Sequence, residues 1–475
     1  MLNTLNDVLN NVDNFIWGMP LIILILFTGI LLTVRLRGLQ VRHLGKALHY
    51  VFHNEDDGEG EVTSFGALCT ALSATIGTGN IVGCATAIVA GGPGALFWMW
   101  LAAFFGMATK YAEGMLAVKY RVIAEDGHAL GGPFYYIEKG MGKNFKWLAK
   151  LFCIFGTMVG LFGIGTFTQV NGITSAVNNF FDSSNVHTIS LFGMNYSISV
   201  VVAGIIVTVC VGLVIIGGIK RISKVSEIIV PFMAVTYIGV CLLIVLTHLP
   251  QVPVAFGQII QSAFGLKAAA GGAIGAMTVA MQKGIARGIF SNEAGLGSAP
   301  IAAAAAQTNE PVRQGLVSMT GTFIDTIIVC TMTGLAIVMT GAWDMGLEGV
   351  AVTTKAFALG LPFPAQVSAF ILMMCLVFFA FTTILGWAYY SERCLEYLVN
   401  GKKFVITVFK WLYILAVFIG PFMTVSAVWT IADICNGLMA FPNLVALLAL
   451  NGDVVSETRG YLERIGIMKT AVDEA

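Results

Sequence analysis

Long apolar segments separated by short polar loops recur along the whole chain. A helix needs about 20 apolar residues to cross a bilayer, and the pattern therefore predicts an all-α polytopic membrane protein with about eleven transmembrane helices. The predicted spans cover residues 15–34, 64–90, 94–118, 151–180, 197–219, 225–248, 270–305, 313–340, 365–395, 404–422 and 424–449. A shorter amphipathic segment, 252–264, is predicted to lie at the membrane surface.

The composition agrees with this class of protein and argues against several others. Of 475 residues, 57% are hydrophobic and only 11% are charged, whereas soluble domains carry about 25% charged residues. The formal net charge is zero, which argues against nucleic acid as a partner. The nine cysteines lie in or beside apolar segments without a C-x-x-C pair, so we interpret them as core residues. The apolar composition predicts that the main partner of the protein is the lipid bilayer.

Lysine and arginine are distributed unevenly between the loops on the two sides of the predicted membrane. One set of alternate loops holds most of these side chains, whereas the other set holds only Lys267 and Lys355. Because basic loops tend to stay in the cytoplasm, the pattern predicts a cell-membrane protein with its N-terminus outside and its C-terminus in the cytoplasm. An odd number of spans agrees with this orientation.

Two of the predicted spans contain polar, glycine-rich interruptions. The sequence SATIGTGNIVG, residues 73–83, interrupts the second span, and GIFSNEAGLGS, residues 288–298, interrupts the seventh. Each glycine costs a helix about 1 kcal/mol relative to alanine. Helix breaks persist in a membrane only where protein or a water-filled cavity satisfies the freed backbone groups. Both breaks are therefore predicted to face an interior site.

The spacing of the two breaks predicts an inverted repeat. Each break opens a set of five spans, and because five is odd, the second set enters the membrane from the opposite side. The predicted divisions are an N-terminal span and loop (1–63), two five-helix repeats (64–248 and 249–450) and a tail (451–475). At a helix break, freed N–H groups attract an anion and freed carbonyls bind a hard cation such as Na⁺. An amino-acid zwitterion bound together with Na⁺ would use both kinds of backbone group.

Several polar or aromatic residues at bilayer depth have more than one interpretation. Gln169 either contacts substrate or bonds a neighbouring helix, and Trp387 either forms a wall of the pocket or lies at the lipid interface. Glu293 is expected to form an ion pair with Arg287 that holds the broken helix, with a gating or direct substrate role as the alternative. Asp325 either serves transport or bonds a neighbouring helix.

Two neighbouring charges in the third span are interpreted separately. Lys110 and Glu113 are expected to form a local pair without a role in transport.

Four stretches resemble one known family. They are IGTGNIVG, GGPGALFWMWLAAFFG (91–106), ARGIFSNEAGLGSAPIAAAAA (286–306) and FTTILGWAYYSERCLEYL (381–398), and the likeness extends from about residue 15 to 450. The sequence resembles the sodium:alanine symporters, also described as alanine or glycine:cation symporters, which are amino-acid carriers. The resemblance implies a LeuT-type fold, with a 5+5 inverted repeat preceded by one extra N-terminal helix.

The resemblance also implies roles for individual residues. The N–H groups of Thr78 and Gly79 would bind the substrate carboxylate, and the Asn80 side chain would orient substrate or ion. The remaining implied substrate contacts at the second break are Phe290, Ser291 and Asn292. The implied Na⁺ ligands are the carbonyls of Ser73, Ile76 and Phe379 and the hydroxyls of Thr382 and Thr383. These two hydroxyls could equally bond back to the preceding turn of their own helix.

These observations predict a secondary transporter rather than an enzyme. The sequence contains no nucleophile with its base, metal cluster or phosphate-binding GxxxxGK loop. The predicted function is sodium-coupled symport of a small neutral amino acid, alanine or glycine, by alternating access, with Na⁺ as co-transported ion. One alternative is a proton-coupled carrier that uses Glu293 or Asp325 as a relay. Another is a membrane sensor that binds an amino acid without transporting it.

Overall fold

The computed structural model describes residues 2–53, 58–124, 127–191, 194–265, 272–423 and 426–466. Helices make up most of these ranges, which confirms the predicted fold class. Two short antiparallel hairpins join helices: β1 (Val122–Ile123) pairs with β2 (Ala129–Leu130), and β3 (Thr188–Leu191) pairs with β4 (Met194–Ser197).

The chain begins with a group of helices before the first break. They are α1 (Leu2–Ile16), α2 (Met19–Arg35), α3 (Leu39–Arg42) and α4 (Leu44–Phe52). The first predicted span corresponds to α2, whereas α1 is an additional helix whose apolar residues lie mainly on one face. The two helices together form one candidate span, Asn6–Arg35.

The next helices correspond to the first predicted repeat. They are α5 (Ser64–Thr75), a π-helix (Gly79–Gly83), α6 (Cys84–Gly91), α7 (Ala95–Lys119), α8 (Pro133–Tyr136), α9 (Lys146–Phe162), α10 (Phe167–Phe181), α11 (Ile198–Ile215) and α12 (Gly218–Thr247). A single π-helical turn (Ile137–Met141) and a 3₁₀ turn (Lys143–Phe145) link α8 to α9.

The remaining helices correspond to the second predicted repeat and the tail. They are α13 (Val252–Ala263), α14 (Ala273–Asn292), α15 (Ala299–Ala303), α16 (Pro311–Thr322), a π-helix (Phe323–Cys330), α17 (Thr331–Thr340), α18 (Val350–Gly360), α19 (Ala365–Leu398), α20 (Lys403–Ile419), α21 (Ser426–Ala449) and α22 (Asn451–Arg464). Three 3₁₀ turns (Leu249–Gln251, Ala342–Asp344 and Gly420–Phe422) join some of them. The predicted surface segment 252–264 forms α13.

Length and apolarity identify fewer spans than the sequence pattern predicts. In the described part of the chain, eight helical stretches are long and apolar enough to cross a membrane, and the bent pair of Ser64–Thr75 and Gly79–Gly91 makes nine. The predicted spans 94–118 and 270–305 coincide in position with α7 and with α14 and α15, but these do not meet that criterion. The count of eleven and the repeat boundaries therefore stay predictions.

Both predicted helix breaks are present. The segment before the first break and the segment after it are bent by 52°, and α14 is separated from α15 by non-helical residues 293–298. Three residues in this second break have positive φ angles: Glu293 (56°), Gly295 (93°) and Gly297 (81°). The left-handed region suits glycine, but for glutamate it is an unusual conformation that the surroundings must stabilise.

A third break was not predicted. The span predicted at 151–180 is divided into α9 and α10, because residues 163–166 leave the helix. A Cβ atom at Gly165 would lie 2.8 Å from both Trp387 Cβ and the Tyr413 hydroxyl. That hydroxyl donates to the Gly165 carbonyl at 2.7 Å and so satisfies the freed backbone. The chain thus breaks where Trp387 of α19 and Tyr413 of α20 pack against it.

The segment before the first break and the segment after the second break are joined to each other. Residues 58–62, which precede α5, run beside residues 304–308, which follow α15, with Val62 paired to Ala306 in a parallel bridge. The Gln307 N–H donates to the Val62 carbonyl at 2.7 Å. The Arg121 guanidinium donates to four carbonyls, those of Glu59, Ala304, Ala306 and Thr308, at 2.6–2.9 Å. We call this arrangement the Arg121 clamp.

Candidate functional site

The first break is held open by the side chain of Asn80. Regular helix would direct the Gly77 N–H to the Ser73 carbonyl four residues earlier, but Ile76 is extended (ψ 93°). The Gly77 N–H instead donates to Asn80 Oδ1 at 2.9 Å. The Ser73 carbonyl thereby loses its regular helical partner, and it is one of the implied Na⁺ ligands.

The second break is organised by Asn292, the last residue of α14. Its Oδ1 accepts the Ala294 N–H at 2.9 Å, and its Nδ2 donates to Thr326 Oγ1 at 3.0 Å. The side chain therefore ends the helix and attaches the break to the neighbouring π-helix (Phe323–Cys330). Ser291 and Asn292 are both fully engaged in such contacts, each 1% exposed.

Asp325 joins the two breaks. Its carboxylate accepts Asn80 Nδ2–H at 2.7 Å and the Ser291 hydroxyl at 2.9 Å, together with the hydroxyl of Thr326 at 2.7 Å. Asp325 is fully buried and lies in the π-helix, a type of turn often found at functional sites. Of the two interpretations of Asp325, the structure places it in contact with neighbouring helices, at the point where both breaks meet.

Glu293 does not form the expected ion pair. Among the described residues it accepts Trp387 Nε1–H at 3.0 Å and the Ser298 hydroxyl. Arg287 instead lies over the Phe290 ring, 5.5 Å from its centroid. Arg287 and Glu293 are six residues apart, and side chains at that spacing on a helix do not face each other, unlike those three or four apart.

Trp387 is completely buried, which excludes the lipid interface for it. Its ring contacts Tyr390 edge-on at 5.7 Å and bridges α19 to the second break through Glu293. Its use as a wall of the substrate pocket remains a prediction.

Replacing Trp387 by phenylalanine keeps most of the packing but removes the indole N–H from Glu293. We expect the variant to be destabilised by about 1–3 kcal/mol, because a buried carboxylate oxygen loses its donor. Thermal unfolding in detergent measures this loss. Trp411→Phe is the matched control, because Trp411 is 60% exposed on α20. Equal melting temperatures for the two variants would contradict the prediction.

One of the implied Na⁺ ligands on α19, Thr383, lies against the first break. A Cβ atom at Gly77 would lie 2.5 Å from Thr383 Oγ1, so the extended backbone and this hydroxyl are in direct contact. The hydroxyls of Thr382 and Thr383 both donate to the Phe379 carbonyl at 3.0 Å. The local bonding considered as an alternative is therefore present. The Thr382 hydroxyl also lies 3.6 Å from Met233 Sδ on α12, so of the two hydroxyls it is Thr383 that contacts residue 77.

Gln169 has an unsatisfied polar atom. The residue is 2% exposed on α10, and its Oε1 has no hydrogen-bond partner among the described residues. The same helix reaches the first break, because a Cβ atom at Gly172 would lie 3.1 Å from Thr78 Cγ2. Asn171, by contrast, donates to the Gly420 carbonyl at 2.8 Å and so acts between helices.

Phe290, on the last turn of α14, packs beside the first break. Its Cδ1 atom lies 3.7 Å from the position of a Cβ atom at Gly79, and Ser291 Cα lies 3.4 Å from it. The backbone of the first break thus packs directly on the last turn of α14. A side-chain atom at Gly79 would therefore meet these two segments of the chain at an ordinary van der Waals distance.

Glu113 supports the second break rather than pairing with Lys110. Its Oε1 accepts the Gly295 N–H at 3.1 Å and Asn443 Nδ2–H at 2.7 Å. Asn443 also donates to the Gly295 carbonyl at 2.9 Å and accepts the Tyr136 hydroxyl. The sequence signal for this role was an intramembrane carboxylate, but its partners on α21 and at the break lie far away in the chain.

Lys110 is a buried cation beside both breaks. Its Nζ, like Gln314 Oε1, has no hydrogen-bond partner in the described part of the chain. Both residues line a cavity of about 20 Å³ that also touches Thr75 and Asn292. A cavity of this size accommodates one water-sized group. The ammonium group therefore lies in the same polar region as the carboxylates described above.

Comparison with known proteins agrees with this architecture. The profile of the sodium:alanine symporter family matches residues 2–474. An uncharacterized transporter of Haemophilus influenzae is 55% identical over 99% of both chains. The sodium/alanine symporter AgcS of Methanococcus maripaludis is 46% identical over 96% of this chain and 97% of its own.

A solved structure shows the same fold at low sequence identity. The crystal structure of MhsT in complex with L-phenylalanine aligns with 88% of this chain and 95% of its own, with a TM-score of 0.55 and 12% identity. This likeness establishes the LeuT-type fold.

Proposed function

This chain belongs to the sodium:alanine symporter family and is a secondary amino-acid transporter, and from this premise we propose that it couples uptake of alanine or glycine to the inward flow of Na⁺. Transport proceeds by alternating access in the cell membrane, with the N-terminus outside and the C-terminus in the cytoplasm. Most lysine and arginine side chains lie in the set of alternate loops predicted on the same side of the membrane as α22, which supports this orientation.

One observation carries the proposal for Na⁺: the contact between the first break and Thr383. Asn80 takes the Gly77 N–H away from Ser73, and the extended chain at residue 77 lies against the Thr383 hydroxyl. Carbonyl and hydroxyl oxygens are the ligands that hard cations prefer. The proposed ligands are the carbonyls of Ser73, Ile76 and Phe379 and the hydroxyls of Thr382 and Thr383.

The proposed substrate site lies on the other side of the same break. The N–H groups of Thr78 and Gly79 begin the π-helix and bind the carboxylate, since unpaired N–H groups at a helix start attract anions. Asn80 acts by holding this backbone, because its amide is engaged by Gly77 and Asp325. Ser291 and Asn292 hold the opposite wall in the same indirect way.

The proposed pocket suits a small side chain. Phe290 packs next to Gly79, while Trp387 and Gln169 complete the proposed wall from α19 and α10. Large aromatic groups close to the break leave little room for a substrate side chain, which favours alanine or glycine.

Uptake of labelled alanine into liposomes containing the purified protein tests the proposed function. The protein is given an inward Na⁺ gradient, a matched K⁺ gradient or a pH gradient. Accumulation only with Na⁺ supports the proposal. Accumulation with the pH gradient alone favours the proton-coupled alternative, and binding without accumulation favours the sensor. Competition by glycine and by leucine reports the size of the pocket.

Replacing Thr383 by valine tests the proposed ion ligands. We expect the Na⁺ concentration for half-maximal uptake to rise at least about tenfold, which corresponds to the loss of one ligand worth about 1.4 kcal/mol. Ser391→Ala on the same helix is the matched control, because that hydroxyl lies about two turns beyond Thr383 and bonds the Trp387 carbonyl at 2.6 Å. An unchanged Na⁺ dependence in Thr383→Val would remove this residue from the ion site.

Replacing Gln169 by leucine separates its two interpretations. If the amide binds substrate, the KM for alanine rises about tenfold, as expected for one lost hydrogen bond to a charged group. If it is only structural, removing an unsatisfied buried oxygen leaves KM unchanged and raises the melting temperature. We expect the first result. Thr174→Val is the control, because its hydroxyl bonds the Val170 carbonyl of its own helix at 3.0 Å.

A further inference from the structure

A second cavity lies outside the two breaks and is lined by charges of both signs. Its volume is about 360 Å³, within the range of small-molecule sites. Asp13 lines it from the end of α1, Lys283 and Arg287 from α14, and Asp433 from α21. Phe290 forms part of the lining as well, and its other neighbour is Gly79 at the proposed substrate site.

Among the described residues these four charges form no close ion pair with one another, although the Arg287 guanidinium attracts both carboxylates at longer range. No ion pair within 4.0 Å joins any of them in the described part of the chain, and Asp13 Oδ1 is buried without a hydrogen-bond partner. Unpaired charges in partly buried positions are costly unless a ligand or water compensates them. The arrangement therefore presents cationic groups and carboxylates that are both available to a ligand.

The position of Asp13 is fixed by the turn that follows it. Trp17 donates its Nε1–H to the Asp433 carbonyl at 3.0 Å, and its ring lies 3.2 Å from the position of a Cβ atom at Gly437. These contacts dock the junction of α1 and α2 on α21. The first helix, α1, thus contributes a carboxylate to the cavity.

We propose that this cavity is an outer binding site for the zwitterionic amino acid, which the substrate occupies before it passes Phe290 to the break. Arg287 and Lys283 bind the substrate carboxylate, and Asp13 and Asp433 bind its ammonium group. Arg287 rests on the Phe290 ring at 5.5 Å, so the cation that holds the carboxylate is in contact with the residue that closes the inner site. This inference rests on the proposed amino-acid transport.

Exposure agrees with access from the surface. Two lining residues, Asn14 and Lys283, are exposed, whereas Arg287 and Asp433 are half-buried. A ligand can therefore reach the charges past these exposed residues. This arrangement favours capture of a small charged molecule from water over binding of a lipid tail.

Transport kinetics of Asp13→Asn test the proposal. In sodium-driven alanine uptake we expect KM to rise about 5- to 10-fold while Vmax stays within about a factor of two, because a charged hydrogen bond to the arriving substrate is lost. Asp13→Glu should restore a KM near that of the unsubstituted chain. Asp7→Asn is the matched control, since Asp7 is exposed on the same helix away from the cavity. An unchanged KM, or a lower Vmax at unchanged KM, would overturn the outer site.

Protection from thiol labelling gives an independent measurement that does not require transport. In Asn14→Cys, a membrane-impermeant maleimide is applied to intact cells with and without alanine, and the signal from exposed Cys210 is subtracted using the unsubstituted chain. At about twice its half-saturating concentration, alanine should slow labelling about threefold, because about two thirds of the sites are then occupied. At the same alanine concentration, the added Asp13→Asn change should reduce this protection to less than about 1.5-fold.

The two measurements distinguish failure of the outer site from failure of the proposed function. Sodium-driven uptake without protection and without a KM change overturns the outer site alone. Protection without uptake under any gradient overturns the transport proposal and leaves the outer site supported.

Discussion

The largest loss of transport is expected from Asp325→Asn, which should reduce sodium-driven alanine uptake more than about 100-fold, equivalent to at least about 2.7 kcal/mol. The carboxylate accepts Asn80, Ser291 and Thr326 at 2.7–2.9 Å. An asparagine in its place has one acceptor oxygen and turns its NH₂ group towards another donor. Both helix breaks would then lose their common attachment point.

The variant and its control are compared in the same liposome assay, with melting temperature in detergent as a second measurement. Thr320→Val is matched to Asp325→Asn because it also changes a buried polar group on the same span, but the Thr320 hydroxyl bonds only the Val317 carbonyl of its own helix at 2.6 Å. Uptake by Asp325→Asn at more than half the normal rate would contradict the prediction. Uptake that continues but no longer responds to pH would support a proton relay at Asp325.

A comparably large loss is expected from Gly77→Ala. The added Cβ atom would lie 2.5 Å from Thr383 Oγ1, and a β-branched side chain cannot easily rotate away. Rotation would also break the hydrogen bond from Thr383 to the Phe379 carbonyl. We expect uptake at saturating Na⁺ to fall at least about 30-fold, or roughly 2 kcal/mol, because the ion site cannot close.

Gly83→Ala separates this contact from a general effect on the helix. Both substitutions favour regular helix by about 1 kcal/mol, but a Cβ atom at Gly83 meets no atom within 4 Å. The control should therefore transport within about twofold of the unsubstituted chain. Similar losses in the two variants would indicate that flexibility of the break, rather than the contact with Thr383, limits transport.

The breaks could be predicted from sequence because their cause is local. Gly77 and Gly79 weaken the helix and Asn80 lies within reach of the freed N–H, three residues from Gly77, so the signal and its structural effect share one short segment. The second break also has a local signal, because Gly295 and Gly297 adopt positive φ angles without strain just after α14 ends at Asn292.

The remaining features could not be predicted because their partners are distant in the chain. The break between α9 and α10 depends on Tyr413, which lies 248 residues from Gly165. Closeness in sequence predicts a pair of Glu293 with Arg287, but Trp387, 94 residues away, supplies the actual donor. Proximity in sequence is a poor guide to partners inside a helical membrane protein, where neighbouring positions point in different directions.

The Arg121 clamp has a mechanical consequence. Because one guanidinium and a parallel bridge join residues 58–62 to residues 304–308, the half-helices α5 and α15 cannot tilt apart without breaking several hydrogen bonds at once. We infer that α5 and α15 move together as one rigid unit. Ion and amino acid would then be released by the same conformational change, which suppresses the release of either one alone. The Gln307 N–H donates to the Val62 carbonyl, so the rate of deuterium exchange at this amide reports whether the two segments stay joined during transport.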